Sequence, residues 1–360
     1  MSHNLRVWVT GESVGHSTGG LEPANSDQHD PPATATDAAT PANRSDQEPR
    51  RDREPRPCSV SDPMLQLVYH NLDRQYLALD EQIRHAVIDG ITSAAVHGMR
   101  TASRRMRATL KVFRELLPGA ARRHFTGELA WFAGELGRVR DLDVQCTTLE
   151  HDIAAAPAAA SANFEPYLAR LRADRELAVE QCRATLCSER AARMLGDFAA
   201  FLVAEPSPAA LRRWADLGAR EGAMQFALRA RKRLRKLGRR AQHDGAPAQL
   251  HGLRIRCKRF RYLLECFDPV CGDRLRRAVH AVRKLQDTLG RYQDAHIAKQ
   301  RLADERARLG TDAQIAAAMP LQAIARARDA DADAARGQFH EDWRAFERRV
   351  TKKKLRKLFR

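Results

Sequence analysis

The sequence predicts an all-α protein built on a duplicated helical unit. Three observations carry that prediction. The segment from Val96 to Arg107 is written a second time from Leu250 to Arg261, so that His97 and Gly98 match His251 and Gly252. Arg100, Arg104, Arg105 and Arg107 match Arg254, Lys258, Arg259 and Arg261 in the same alignment. Beyond residue 63, alternating β-branched runs are almost absent. Aromatics make up only 6% of the 360 residues, so cores must be built mainly from Leu, Ala, Val and Met, which suits helix bundles better than sheets.

At about 100° per residue, His97, Arg100, Arg104, Arg107 and Lys111 fall within roughly 80° of one another on a helix surface. Met99, Met106, Leu110, Phe113 and Leu117 gather on another face, the ordinary core-facing pattern. The polar face of this helix lacks acids at i+3 or i+4, whereas solvated faces normally interleave both signs. His251, Arg254, Lys258 and Arg261 repeat the stripe. A weaker echo follows each copy: Leu136-Gly137-Arg138-Val139-Arg140-Asp141 resembles Leu289-Gly290-Arg291-Tyr292-Gln293-Asp294. The duplicated unit is therefore larger than one helix, a pair of helices with a turn marked by Gly137 or Gly290. Two such stripes form a surface for a polyanion.

The elements follow in order. Asp62 as N-cap and Pro63 at N1 start a helix that runs to about Asp89 and stops at Gly90. Thr92 or Ser93 caps the first motif helix, which the Pro118-Gly119 pair ends. A third helix holds Trp131, Phe132 and Leu136. A fourth begins near Asp141 and fades into an Ala-rich loop at 153–162 around Pro157. Helices at about 163–186 and 189–203 precede a break at Pro206 and Pro208. A long basic helix spans 209–241, its cations spread over several faces, and 242–247 is a turn. The second motif helix covers about 248–267, stopped by Asp268-Pro269. Helices near 272–289 and 291–309 form the next pair, and an Ala- and Asp-rich helix at 312–348 closes the second half. Residues 351–360 read as a basic tail, chiefly a solubility device.

Charge divides the chain. The formal net charge is +17. Residues 1–62 hold six Arg against ten Asp and Glu, a net of −4, which leaves 17 + 4 = +21 for the remainder. This leading tail is rich in Pro, Ser, Thr, Asp and Gly, holds no lysine, and reads as disordered. It lacks the basic and apolar regions of a secretory signal. Its short apolar run, Val7-Trp8-Val9, is too brief for a membrane, and no stretch approaches the roughly 18 apolar residues of a spanning helix. Seven cysteines without a C-x-x-C pair point to a reduced, cytoplasmic protein, with Cys257 a small helix-filling residue.

The two motif helices and the two Leu-Gly-Arg segments resemble the CHAD domain, the conserved histidine α-helical domain. The resemblance covers about 63–350, with a first half at about 63–205 and a second at about 209–350. It implies two four-helix bundles related by a pseudo-twofold axis, and a central basic groove that binds inorganic polyphosphate. The expected contacts are His97, Arg100, Arg104, Arg107, Lys111, His251, Arg254, Lys258 and Arg261, with Arg138 and Arg291 from the weaker echo.

Arginine suits such a ligand because its planar fork donates two parallel bonds to phosphate oxygens. Against this stands an ordinary basic face neutralised by neighbouring acids, for which Asp141, Asp143, Glu265 and Asp294 are candidates. For the histidines three readings stand: phosphate contact, a capping or packing role, and metal ligation. The last is weakened by the lack of any H-x-x-H or Cys/His cluster and by the surrounding cations. The 229–240 run either extends the groove or is a solvated face.

No catalytic residues, cofactor or metal are expected. There is no phosphate-binding Gly-Lys loop. The E-x-E-x-K pattern of a CYTH domain, which can precede a CHAD domain, is also missing. The expectation is thus a stand-alone, non-enzymatic polyphosphate-binding module of the cytoplasm, placed on polyphosphate granules. The main alternative is a nucleic-acid-binding helical protein, for which Tyr262 and Tyr292 are the evident stacking residues. An enzyme of polyphosphate metabolism is the third reading. Protein partners and oligomeric state are not written in the sequence.

Overall fold

The computed structural model describes residues 62–155, 164–204, 217–307 and 319–359. The expectations for the leading tail, the Pro157 loop, the Pro206 and Pro208 break and the stretches 209–216 and 312–318 lie outside those residues. The described chain is helical: α1 (Met64–Ile88), α2 (Ser93–Val112), α3 (Gly119–Ala155), α4 (Glu165–Leu186), α5 (Glu189–Val203), α6 (Ala219–Asp244), α7 (Pro247–Glu265), α8 (Asp268–Cys271), α9 (Arg276–Ala307), α10 (Met319–Arg349) and α11 (Lys352–Leu358). A 3-10 turn at Gly272–Leu275 links α8 to α9. No strand occurs among the described residues; the nearest thing is a single backbone bridge between Pro63 and Gly218.

Several helix ends follow from local chemistry. Thr92 caps α2, its side chain accepting from Ala95 N at 3.1 Å. Ser188 does the same for α5 through Ala191 N. Gly90 stops the chain after α1 with φ +96°, a left-handed backbone that glycine adopts at no steric cost. Pro63, not Asp62, is the cap of α1. The Asp62 carbonyl is occupied instead by Ala219 N at 2.8 Å, and Met64 N bonds to Leu217 O at 2.8 Å. These two bonds pin the starts of α1 and α6 together.

The predicted turns at Gly137 and Gly290 do not exist. Both glycines lie inside long helices, α3 and α9. An interior glycine costs a helix only about 1 kcal/mol. Buried Leu136 and Val139, and Leu289 and Tyr292, hold these turns to the core. The basic tail is likewise a helix. Thr351 caps it through Lys354 N, and Leu355 and Phe359 are buried, with the Phe359 ring 5.7 Å from that of Phe267.

Sequential helices pack in order: α1 on α2, α2 on α3, α3 on α4, then α6 on α7, α7 on α9 and α9 on α10. The two series meet where α2 touches α7 and α1 touches α6. One continuous apolar core runs from Met64 to Phe359 across that junction. Apolar burial on this scale, at about 25 cal/mol per Å2, is the dominant favourable contribution to the fold.

Candidate polyanion-binding site

The two motif helices cross each other. Val96, Met99, Met106 and Leu110 anchor α2 in the core, and Leu253, Cys257, Phe260 and Leu264 anchor α7. With those faces fixed, polar side chains meet at the crossing. Arg104 Nε donates to the Tyr262 hydroxyl at 2.7 Å, and Arg105 Nη2 to Glu265 Oε2 at 3.3 Å. The guanidiniums of Arg104, Arg105 and Arg261 stand 5.6, 5.8 and 4.7 Å from the centre of the Tyr262 ring, within cation–π range.

Lys258 sits in the middle of this assembly. Burial, and then the charges of Arg254, Arg104 and Arg261, push its ammonium down to about 8, against an opposing pull from Asp294. Arg104 and Lys258 are thus brought together from different helices. Arg107 and Lys111 meet other partners than the repeated stripe suggested. Lys111 is pushed down first by Arg259, then by burial, Arg107 and Arg256. Arg259 is pushed down by burial, Arg256 and Arg107. The far end of α2 therefore faces Arg256 and Arg259 of α7.

The Leu-Gly-Arg segments dock onto the motif arginines. A Cβ at Gly137 would stand 2.8 Å from Arg100 Nη1, so the glycine is where this guanidinium lies against α3. Arg100 Nη1 also donates to Ala133 O at 3.2 Å, and burial, with Arg104 and Arg140, holds the guanidinium below its ordinary value against the pull of Asp141. At Gly290 the corresponding space is occupied more loosely by Arg254, 3.7 Å away at Nε, and Asp294 lies 3.8 Å from the Arg254 fork. The echoed glycines thus lie against Arg100 and Arg254, tightly at Gly137 and at ordinary contact distance at Gly290.

His97 and His251 are both exposed, on the second turns of their helices, and cap neither. The His97 imidazole is held below its ordinary value, by burial first and then by Arg140, Arg104 and Arg100. His251 Nδ1 is 3.0 Å from Gln293 Oε1. Arg140 and Gln293 occupy the same place in the weaker echo, yet neither was singled out in the sequence. Arg140 also donates to Ser93 Oγ at 3.3 Å, bridging α3 to α2. Arg138 points to solvent. Arg291 contacts Thr288 Oγ1 at 3.3 Å and shares a cleft of about 820 Å3 with Arg140, Arg254 and Asp294.

Acids answer part of the charge. Glu265 pairs with Arg261 at 2.9 Å, Arg105 at 3.3 Å and Arg283 at 3.8 Å. Asp143 pairs with Arg175 instead, at 2.6 Å. The 229–240 run divides by face: Arg235 and Arg239 pair with Glu347, and Arg231 donates to Val350 O. Arg229 and Arg233 line a cavity beside α2. Tyr262 is 3% exposed, and Tyr292 is 9% exposed with its ring parallel to that of His296. Neither offers a face to a nucleobase. Among the described residues no three His, Cys, Asp or Glu side chains group to hold a metal, and no helix is long and apolar enough to cross a membrane.

Comparison with known proteins adds the lineage of this arrangement. The profile of the CHAD domain matches residues 71–303. Among solved structures, the CHAD domain from the plant Ricinus communis superposes with a TM-score of 0.63 at 24% identity, covering 80% of this chain and 95% of that one. PptA from Streptomyces chartreusis superposes with a TM-score of 0.61 at 20% identity, covering 79% of this chain and 100% of that one. No curated protein matches.

Proposed function

The chain belongs to the CHAD domain family, and from that premise we propose that it binds inorganic polyphosphate along the cations gathered where α2 and α7 cross. The carrying observation is the crossing itself, where Arg104 of one helix and Arg261 of the other stand 5.6 and 4.7 Å from the centre of the Tyr262 ring, with half-buried Lys258 held down to about 8 by burial and these arginines. A polyanion threaded past this point reverses the field and restores the full charge. Arg104, Lys258 and His97 form the centre of the contact, with Arg107 and Lys111 beyond. Arg254 is turned partly to Asp294 and Arg100 to the Ala133 carbonyl, and both contribute less. His251, Arg261, Arg138 and Arg291 complete the expected set.

Polyphosphate is a flexible chain of tetrahedral phosphates with negative charge at every unit, so close-spaced guanidinium forks match it. Each phosphate neutralised releases a counterion, and affinity falls with salt by roughly 0.7–0.9 log units per contact per decade, by analogy with nucleic acids. Binding needs no bond-making step, and the function is non-enzymatic. The matched seats of Arg100 and Arg254 support an internal duplication. Attachment to polyphosphate granules in the cytoplasm is the cellular form that such binding would take.

Competition decides between ligands. Labelled long-chain polyphosphate should resist displacement by RNA and by duplex DNA of equal charge at physiological salt. Displacement by DNA at equal or lower concentration overturns the reading. Arg104→Ala and Lys258→Ala should each weaken polyphosphate binding by about 1–3 kcal/mol.

A further inference from the structure

Lys258 stands half-buried in α7 and, among the described residues, forms no hydrogen bond and no ion pair with an acid. Lys284 and Lys299, by contrast, are held by Asp342 at 3.0 Å and by Asp329 at 2.6 Å. What surrounds Lys258 is mainly cationic. Arg254 lies one helical turn before it, Arg261 about one turn after it, and the charge of Arg104 reaches it from α2, with Asp294 of α9 opposing them. These guanidiniums still have donors to offer. Arg104 donates through Nε to Tyr262 and through Nη2 to Thr101 Oγ1 at 3.4 Å. Arg261 donates through Nε to Gln286 Oε1 and through Nη1 to Glu265 Oε1, each at 2.9 Å. Among the described residues Arg104 Nη1 and Arg261 Nη2 make no hydrogen bond, and Arg254 Nε is buried without a partner.

We propose that Lys258 is a site of reversible carbamylation by carbon dioxide, and that its carbamate opposes the polyanion at the helix crossing. The second part rests on the polyphosphate reading; the first does not. The Nζ lone pair attacks the carbon of carbon dioxide, one C=O bond opens onto its oxygen, and the nitrogen releases one proton to solvent. Amine and carbon dioxide thus give a carbamate anion and a proton, with nothing oxidised or reduced. Carbon dioxide is uncharged, so the surrounding cations do not bar its approach. The product is a planar anion shaped like a carboxylate, which guanidinium forks bind through charge-assisted hydrogen bonds. Arg104 Nη1, Arg261 Nη2 and Arg254 Nε are the donors at hand.

The attack needs the neutral amine. Burial first, and then Arg254, Arg104 and Arg261, hold the ammonium down to about 8 against the pull of Asp294. About a fifth of Lys258 is then neutral near pH 7.4, against about one in a thousand for an ordinary lysine. At fixed carbon dioxide pressure the carbamate therefore grows as pH rises through about 8. Bound polyanion favours the ammonium and carbamylation removes it, so each weakens the other by the same factor.

The experiment is carbon-13 NMR of the full chain equilibrated with labelled bicarbonate near pH 8, followed by trapping with triethyloxonium and mass mapping of the peptides. A carbamate resonance apart from that of bicarbonate is expected, with the trapped ester on Lys258. Trapping separates Lys258 from a carbamate on the α-amino group, and it needs no variant. Lys258→Arg should remove the trapped ester at that position, and Lys299→Arg should leave it in place. Arg104→Gln should lower the yield at Lys258 severalfold, because one repelling charge and one donor leave together. No trapped carbamate on Lys258 of the wild type overturns the proposal, and so does an equal yield on Lys299. Replacing chloride by bicarbonate at constant ionic strength should weaken long-chain polyphosphate binding severalfold in the wild type and have no effect on Lys258→Arg. Carbamate that persists in full under saturating polyphosphate overturns the opposition between the two. Carbamate on Lys258 in a chain that binds no polyphosphate upholds the site and removes the reading of the groove alone.

Discussion

The two motif helices carry the same written pattern and opposite electrostatic endings. On α7 the stripe runs into Glu265, which gathers Arg105, Arg261 and Arg283, while Asp294 stands beside Arg254. At the matching place α2 ends in Lys111, pressed by Arg259, Arg107 and Arg256. Apart from Lys258, the α7 stripe is answered by acids within the protein, and the end of the α2 stripe is left in want of negative charge. A repeated sequence therefore need not mean repeated roles. Arg261 of one copy is tied to Glu265 at the crossing, and Lys111 at the matching end of the other has only cations around it.

The sharpest way to break this contrast is Glu265→Gln. Glu265 is 18% exposed, so its partners are only partly screened. Three arginines would lose their shared carboxylate, and unfolding by denaturant should show a loss of about 2–3 kcal/mol. A change below about 0.5 kcal/mol would mean that α7 is no more settled than α2.

The next effect is on pH. Lys258 is held down to about 8 in the free protein, and bound polyanion draws its proton affinity back up. Protons are then taken up on binding, so affinity falls as pH rises from about 8 to 10, by at most about tenfold per pH unit. Lys258→Arg should abolish that fall, since a guanidinium stays charged. His97 is also held below its ordinary value, so its proton uptake should strengthen binding as pH drops below the usual histidine range near 6.5. His97→Gln should flatten that acidic limb and leave the alkaline one intact. Identical pH profiles for wild type and both variants would detach these groups from the ligand.

The smallest effect distinguishes the two arginine seats. Gly137→Ala and Gly290→Ala each gain helix propensity, up to about 1 kcal/mol. Only at Gly137 does the new methyl meet a guanidinium at 2.8 Å, against 3.7 Å at Gly290. Polyphosphate affinity should shift severalfold for Gly137→Ala and stay level for Gly290→Ala. Equal responses would show that the tighter seat of Arg100 has no bearing on binding.

The start of α2 and the stripes themselves were legible, because Thr92 and the spacing of His97, Arg100 and Arg104 act within one or two turns. The glycines misled. Gly137 and Gly290 stand beside helix-compatible neighbours; the approach of Arg100 from another helix accounts for Gly137, and nothing in the structure requires a glycine at 290. Arg140 escaped notice because its counterpart in the echo is Gln293, a change of chemistry at a shared position. Glu265 was named as one acid among four; its spacing of four residues marks only Arg261 as a partner, and nothing local said that Arg105 and Arg283 would join it while Asp143 turned away. The closing helix read as a basic tail because Leu355 and Phe359 are too few to mark a period without the core they enter.

Arg104 and Tyr262 touch although they are 158 residues apart in the chain. At a synthesis rate of about 5–20 residues per second, α2 leaves the ribosome roughly 8–30 s before Tyr262 does. For that interval the cationic helix has no α7 to cross, and its stripe faces whatever anions surround the nascent chain. The order of translation thus leaves the α2 stripe without its Tyr262 partner until the second half of the chain has been made.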